Sequence, residues 1–429
     1  MGLDVARALA VLGMVGAHVG EAGSFELLDP SSWAGIVHGR SSILFAVLAG
    51  VSIALMTGRG TPLMKDALPQ ARLRLLGRGA AIFLIGILLE LLNTPIAVIL
   101  TVYGILYVAV IPFLGWSVRR LLIASGALAI AGPALLAGLQ AVLMAPSAPG
   151  LDLVLFGTYP ITVWMAFVLA GMALGRLRPE RIRTAVGCLV VGVVLCAAGG
   201  GLGAFGHLSA TGDVSYGAAY DDSASFSWTD DSTIGYGVPA DDIDFTGMIC
   251  DDFGDGWVTC YPEDAGDEGS FIDDSAGSGF GDEGGWVSYP QQVLDAQPLV
   301  AMRDAVTAAD PHSGGTAEIL GSGGFALIVI AVCLLLGRPL RWLLLPFAAL
   351  GSMPLTAYSA HVVSVFVMAA PMGLVSGDAV WGVSCIALLV LTTLWAMLFG
   401  RGPLERLVGR AAEAMAGSGA AAGSRRPLD

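Results

Sequence analysis

"HGRSSILFAVLAG" (38–50) sets a histidine and an arginine directly before a run apolar enough to enter a bilayer, and the run continues through Val51 to Leu55. Whether that run is the core of a soluble domain or a membrane span decides the fold. Composition answers the question. The chain of 429 residues is 55% hydrophobic and 13% charged, with a mean hydropathy of +0.76, whereas soluble domains carry about 25% charged residues. The sequence predicts an all-α polytopic membrane protein.

A helix needs roughly 20 apolar residues to cross the hydrocarbon core. About ten transmembrane helices meet that length, near 3–20, 41–57, 79–93, 95–116, 121–143, 159–175, 184–206, 321–337, 342–371 and 379–399. The third is short. The ninth is interrupted at Gly351-Ser352-Met353-Pro354, where proline removes a backbone donor and favours a break. The first lacks a basic n-region and a small-residue cleavage site, so it reads as a retained helix.

Basic residues test this topology independently, because short cytoplasmic loops accumulate Lys and Arg. Of the 21 such residues, 18 lie in 58–78, 117–120, 176–183, 338–341 and the tail after 400, all on one side of a ten-helix chain. Arg7 joins them near the start of the first helix. Only Arg40 and Arg303 fall on the other side. The expected location is the cell (inner or plasma) membrane, with both termini cytoplasmic.

On the opposite face the sequence predicts one long acidic extracytoplasmic loop, 207–320, holding 23 of the 35 acidic residues and one arginine. The expected organisation is 1–206 as transmembrane helices one to seven, 207–320 as this loop, 321–399 as helices eight to ten, and 400–429 as a cytoplasmic tail. The loop's Asp-Asp pairs (221–222, 230–231, 241–242, 251–252, 273–274) show no sustained helical period. A solvated acidic insertion is the expectation. "DDFGDG" (251–256) lacks the full spacing of a calcium loop, while Trp228, Trp257, Trp286, Tyr236 and Tyr289 leave room for a small β-rich subdomain. Cys250 and Cys260 are its only cysteines, a candidate local disulfide.

No Cys/His zinc spacing, Walker A loop, GxSxG elbow or basic surface with interleaved aromatics is present. Neither a metal nor a nucleic-acid partner is expected. What remains is histidine, the side chain suited to proton transfer near neutral pH. The five are His18, His38, His207, His312 and His361, and the arginine-derived topology puts all of them on or within reach of the outer face. His207 beside a glycine-rich exit reads as a loop residue, and His18 and His361 could simply pack between helices. Arg40 is harder to dismiss, since an arginine against the charge asymmetry calls for a partner or an anionic ligand. Glu90, near the outer end of the third helix, is its simplest counter-ion.

"GLDVARALAVLGMVGAHVG" (2–20), "SSWAGIVHGRSSILFAVLAGVSIAL" (31–55), "PHSGGTAEILGSGGFA" (311–326), "LGSMPLTAYSAHVV" (350–363) and "GPLE" (402–405) together resemble a multi-pass bacterial family of unknown function related to heparan-alpha-glucosaminide N-acetyltransferase. The resemblance spans roughly three quarters of the chain and leaves out the acidic loop. It implies a membrane acyltransferase taking an acetyl or other acyl group from cytoplasmic acyl-CoA to a sugar on the far side. In the eukaryotic transferase a histidine precedes the Ser-Trp dipeptide of the first outer loop. Here Asp29, Pro30 and Ser31 precede Ser32-Trp33, and His38 is not an aligned substitute.

The sequence thus points to acyl transfer onto an envelope glycan or lipid, in a pocket of helices one, two, three and nine. His38 or His361 would be the base, and Arg40 would bind an anionic or carbonyl oxygen. His18, Glu90, His312 and Tyr358 are secondary members. A transporter or flippase of an envelope precursor is the rival, supported by the broken ninth helix, and a scaffold built on the acidic loop is a third possibility.

Overall fold

The computed structural model describes residues 1–21, 30–58, 67–143, 150, 155, 157–210, 248–252, 258–262, 293–294, 296–372 and 376–423. The chain divides into two compact units, one of 1–220 with 292–429 and one of 221–291.

The larger unit is helical. In chain order it holds α1 (Gly2–Val19), a 3-10 segment (Pro30–Val37), α2 (Arg40–Met56), α3 (Leu68–Glu90), α4 (Leu100–Ala109), a second 3-10 segment (Ile111–Gly115), α5 (Val118–Leu143), α6 (Ile161–Arg176) and α7 (Ile182–Ala210). After the second unit come α8 (Pro298–Thr307), α9 (Thr316–Leu336), α10 (Leu345–Ser352), α11 (Pro354–Met372), α12 (Asp378–Phe399) and α13 (Pro403–Gly423).

Among the described residues six helices are long and apolar enough to cross a membrane: α1, α2 with the preceding 3-10 turn, α5, α7, α9 and α12. The α10–α11 pair, bent by 85°, makes a seventh if it counts as one span. Ten spans would need α3, α4 and α6 as well, and each departs from the expected form. The predicted third span begins near 79, but α3 starts at Leu68 because its first half carries Arg72, Arg74 and Arg78 on a helix that runs on without a break. The predicted fourth, 95–116, shrinks to the ten residues of α4, about 15 Å of helix and half a bilayer. Pro112 then turns the chain into 3-10 geometry. The expected break of the ninth helix is present. Pro354 has no N–H to donate and forces Met353 out of the α region, so α10 ends and α11 begins there.

Hydrocarbon tails are as apolar as leucine, so these helices associate by close packing, not by hydrophobic exclusion. α2 against α6 is a close example. A methyl group at Gly171 would collide with the Val47 carbonyl oxygen, and one at Gly50 with that of Val168. The faces left over, such as Val190, Val194, Ile386 and Leu394 on α7 and α12, are exposed and apolar as lipid-facing surfaces must be.

Two parts of the expected loop are helical after all. α7 runs on to Ala210, and α8 occupies Pro298–Thr307, opened by a proline at its N-terminus. α9 also starts at Thr316, five residues before the predicted 321. The final 21 residues before 424 form helix α13, and Gly77 of α3 lies against Ala411 and Met415 of it.

In the smaller unit, β1 (Met248–Asp252) and β2 (Val258–Pro262) form an antiparallel hairpin whose register sets Cys250 opposite Cys260. The Asp-Asp pairs at 221–222, 230–231, 241–242 and 273–274, with Trp228, Trp257, Trp286, Tyr236 and Tyr289, lie outside the described residues.

Candidate functional site

α1 and α2 run antiparallel, and their shared ends differ in chemistry. One end gathers histidines, the other arginines.

At the histidine end the chain enters α2 through a tight turn. The Arg40 N–H donates to the His38 carbonyl at 2.7 Å across Gly39, whose φ is +67°. This is a three-residue turn of positive φ, strained for any residue with a Cβ. The Ser42 hydroxyl donates to the Gly39 carbonyl at 2.7 Å and ties the turn to the helix. Space demands glycine too: a Cβ there would come within 3.0 Å of Pro311 and 3.5 Å of a Glu318 carboxylate oxygen.

Glu318 organises the opposite wall. It is the third residue of α9, and its carboxylate reaches back over the preceding segment. Oε1 accepts the His312 N–H at 2.7 Å; Oε2 accepts the Gly314 N–H at 2.7 Å and the Ser313 hydroxyl at 3.2 Å. Those bonds hold His312 and Gly314 at positive φ, +65° and +63°. The carboxylate is buried and lies within electrostatic reach of Arg40. A buried carboxylate needs such partners. Arg40 is also within reach of the Cys196 thiol on α7.

His18 in the last turn of α1 and His361 on α11 meet with rings 3° from parallel and centroids 5.4 Å apart. His18 Nδ1 lies 3.1 Å from His361 Nε2, a hydrogen bond. His361 is 1% exposed, and its Nδ1 is buried without a hydrogen-bond partner. His18 is within electrostatic range of His38 and His312 as well, so four of the five histidines converge. Tyr159 stands edge-on to His312 and Trp164, centroids 6.1 and 5.2 Å away. Burial pushes the Tyr159 phenol up to about 12. His312 is exposed at its outer edge, yet desolvation by the surrounding chain, then the neighbouring His38, hold its pKa below the usual histidine value.

At the arginine end is a cavity of about 310 Å³ whose lining includes Arg7, Phe45, Ser52, Arg78, Tyr103 and Glu405. That is the lower end of the range for small-molecule sites, about 300–1,000 Å³. Arg7 binds Asp4 at 2.5 Å and the Ser52 hydroxyl at 3.1 Å. Arg78 lies over the Tyr107 ring, 5.7 Å from its centroid, with its Nε buried and unpartnered. Glu405 is committed elsewhere. Its Oε1 accepts the Leu355 and Thr356 N–H groups at 2.8 and 3.1 Å, and its Oε2 accepts the Thr356 hydroxyl at 2.5 Å, capping α11. The cavity therefore sets two arginines, one of them paired with Asp4, and a capping carboxylate above apolar walls.

Of the residues singled out in the sequence, His18, His38, Arg40, His312 and His361 meet at one end. Tyr358 lies one helical turn before His361 on α11, buried, its hydroxyl without a hydrogen-bond partner. Glu90 is a correction. It accepts the Thr101 hydroxyl at 2.9 Å at the exposed end of α3 and is within electrostatic range of Tyr358, whereas the carboxylate within electrostatic reach of Arg40 is Glu318. Helix three thus yields its expected place to α9 and the segment before it. Glu318 went unnoticed because a span starting at 321 leaves it in the loop. Its signal was a lone carboxylate three residues past Gly315 at the mouth of an apolar run. Among the described residues no three His, Cys, Asp or Glu side chains are arranged to hold a metal ion.

Residues 1–192 match the family described as heparan-alpha-glucosaminide N-acetyltransferase, catalytic, and the chain is related to that family through α1 to α6 and the start of α7. The stretches 311–326, 350–363 and 402–405 fall beyond the matched residues. No curated protein and no solved structure matches the chain.

Proposed function

We propose, from the kinship of residues 1–192 with that catalytic family, that this membrane protein moves an acyl group, in the first instance acetyl, from acyl-CoA to a glycan or lipid of the cell envelope. The arginine end would face the cytoplasm, with both termini there and ten spans in the cell membrane, α3, α4 and α6 completing the seven longer ones. The acidic segment would then lie outside.

The observation that carries this reading is the course of α2. Its first residue, Arg40, belongs to the histidine end, while Phe45, Leu48, Ser52 and Met56 line the arginine-end cavity. Phe45 is five residues from Arg40, about 8 Å along the axis. A donor whose phosphates meet Arg7 and Arg78, with its pantetheine arm along the apolar wall, would bring its thioester toward the histidines. There the acceptor's hydroxyl or amine attacks the carbonyl carbon, its proton passes to His361 or His38, and as the C–S bond breaks that imidazolium returns the proton to the departing thiolate, which leaves as the thiol. Arg40 would bind the carbonyl oxygen or an anionic part of the acceptor, with Glu318 fixing it. Nothing in this scheme draws on Glu90.

A second reading, a flippase without covalent chemistry, draws on the 85° break between α10 and α11, since interrupted spans line substrate sites in transporters. Radiolabelled acetyl-CoA supplied to protein in nanodiscs with an envelope-glycolipid extract separates the two. Label entering an acceptor with wild type, and not with Arg40→Ala, is the expected result. Acceptor binding and movement with no acetyl-CoA binding would overturn the acyltransferase in favour of the flippase.

A further inference from the structure

The His18–His361 pair is not symmetric. His18 uses Nδ1 and His361 uses Nε2, and His18 is also within electrostatic range of His38 and His312. That leaves His361 Nδ1 buried, with no hydrogen-bond partner among the described residues. Neutral imidazole carries one hydrogen, so the shared contact fixes which nitrogen of each ring has it. Two arrangements are available. In one, His18 Nδ1 donates and His361 Nδ1–H is an orphaned buried donor. In the other, His361 Nε2 donates to His18 Nδ1, and His361 Nδ1 is a bare lone pair.

Two arguments select the second. Orphaned N–H groups in protein interiors are rarer than under-satisfied acceptors, and a neutral imidazole intrinsically favours hydrogen on Nε2. Both rings adopt that form only when His361 donates.

We infer that His18 is the positioning residue for His361: by accepting from Nε2 it holds His361 in the tautomer whose Nδ1 lone pair is the proton acceptor of the site. A lone pair kept buried and unpaired is destabilising, and an arriving O–H or N–H group recovers that loss. As regards catalysis, the inference rests on the acyl-transfer reading and chooses His361 over His38 within it. The outward arrangement is that of a histidine oriented by a second hydrogen-bonding group, here a neutral ring in place of a carboxylate.

The test is ¹⁵N-histidine NMR of the full chain in nanodiscs at neutral pH. With five histidines in the sequence, the His361 signals are assigned as those lost in His361→Gln. The expected result is an unprotonated Nδ1 and a protonated Nε2 on His361. His18→Leu should redistribute the hydrogen between the two nitrogens, whereas His18→Asn, whose amide reaches the same position as Nδ1, should preserve the wild-type pattern. In the transfer assay His18→Leu should lower kcat about tenfold or more with KM for donor and acceptor unchanged, and His18→Asn should restore most of it. Hydrogen on His361 Nδ1 in the wild type, or a tautomer indifferent to His18→Leu, overturns the inference. A wild type that transfers nothing sinks the acyl-transfer reading, while the tautomer measurement still decides the pairing.

Discussion

The two ends of α2 handle charge in opposite ways. At the histidine end the single arginine, Arg40, is matched by a buried carboxylate that is itself held by three hydrogen bonds. At the other end Arg7, paired with Asp4, shares a cavity with Arg78 and with Glu405, whose carboxylate accepts from the N-terminus of α11. The first is a buried, preorganised cluster suited to moving a proton; in the second, Arg78 is the arginine with no carboxylate bound to it among the described residues.

That contrast breaks most sharply at His361. His361→Ala should reduce acyl transfer roughly 10²- to 10⁴-fold while leaving acetyl-CoA binding within error by calorimetry; parallel loss of both would mean that the two ends are one site. At the arginine end, Arg78→Ala should weaken acetyl-CoA binding about tenfold or more, the equivalent of roughly 1.5–3 kcal/mol for a charged hydrogen bond. Transfer at saturating donor should hardly change. Gly39→Ala tests the turn between the two. Forcing a Cβ into positive φ against Pro311 should cost about 1–3 kcal/mol, seen as a lower denaturation midpoint and reduced transfer, with donor binding intact.

The smallest effect is expected from His312. Its folded pKa is depressed, so below the ordinary histidine value the unfolded chain binds the proton that the folded chain resists. Stability is therefore complete above about pH 6.5 and falls as the pH drops through and below it. Solvent access at the ring's edge keeps that loss small. Faster amide exchange of 308–318 at pH 5.5 than expected from intrinsic rates, removed in His312→Asn, would register it.

Much of this was legible in the sequence because membranes impose simple rules. Length and apolarity marked α1, α2, α5, α7, α9 and α12, and Pro354 announced the break before α11. α4 was overestimated because an apolar run says nothing of where Pro112 ends the helix. The site was half legible. Arg40 stood out against the charge asymmetry, but its carboxylate was sought on the wrong helix, since pairing across a bundle depends on which helices touch. The same limit hid the His18–His361 contact, made across 343 positions of chain. Glu318 was concealed by a helix start misplaced by five residues.

Glu405 is the buckle of the molecule. By gripping Leu355 and Thr356 it fastens the C-terminal helix to the start of α11, and His361 rides on α11 less than two turns further along. Cutting the chain before Pro403 would therefore do more than trim a surface helix. It would unfasten the segment that carries the proposed base and strip Glu405 from the wall of the arginine-end cavity, so a shortened protein could insert and still fall silent.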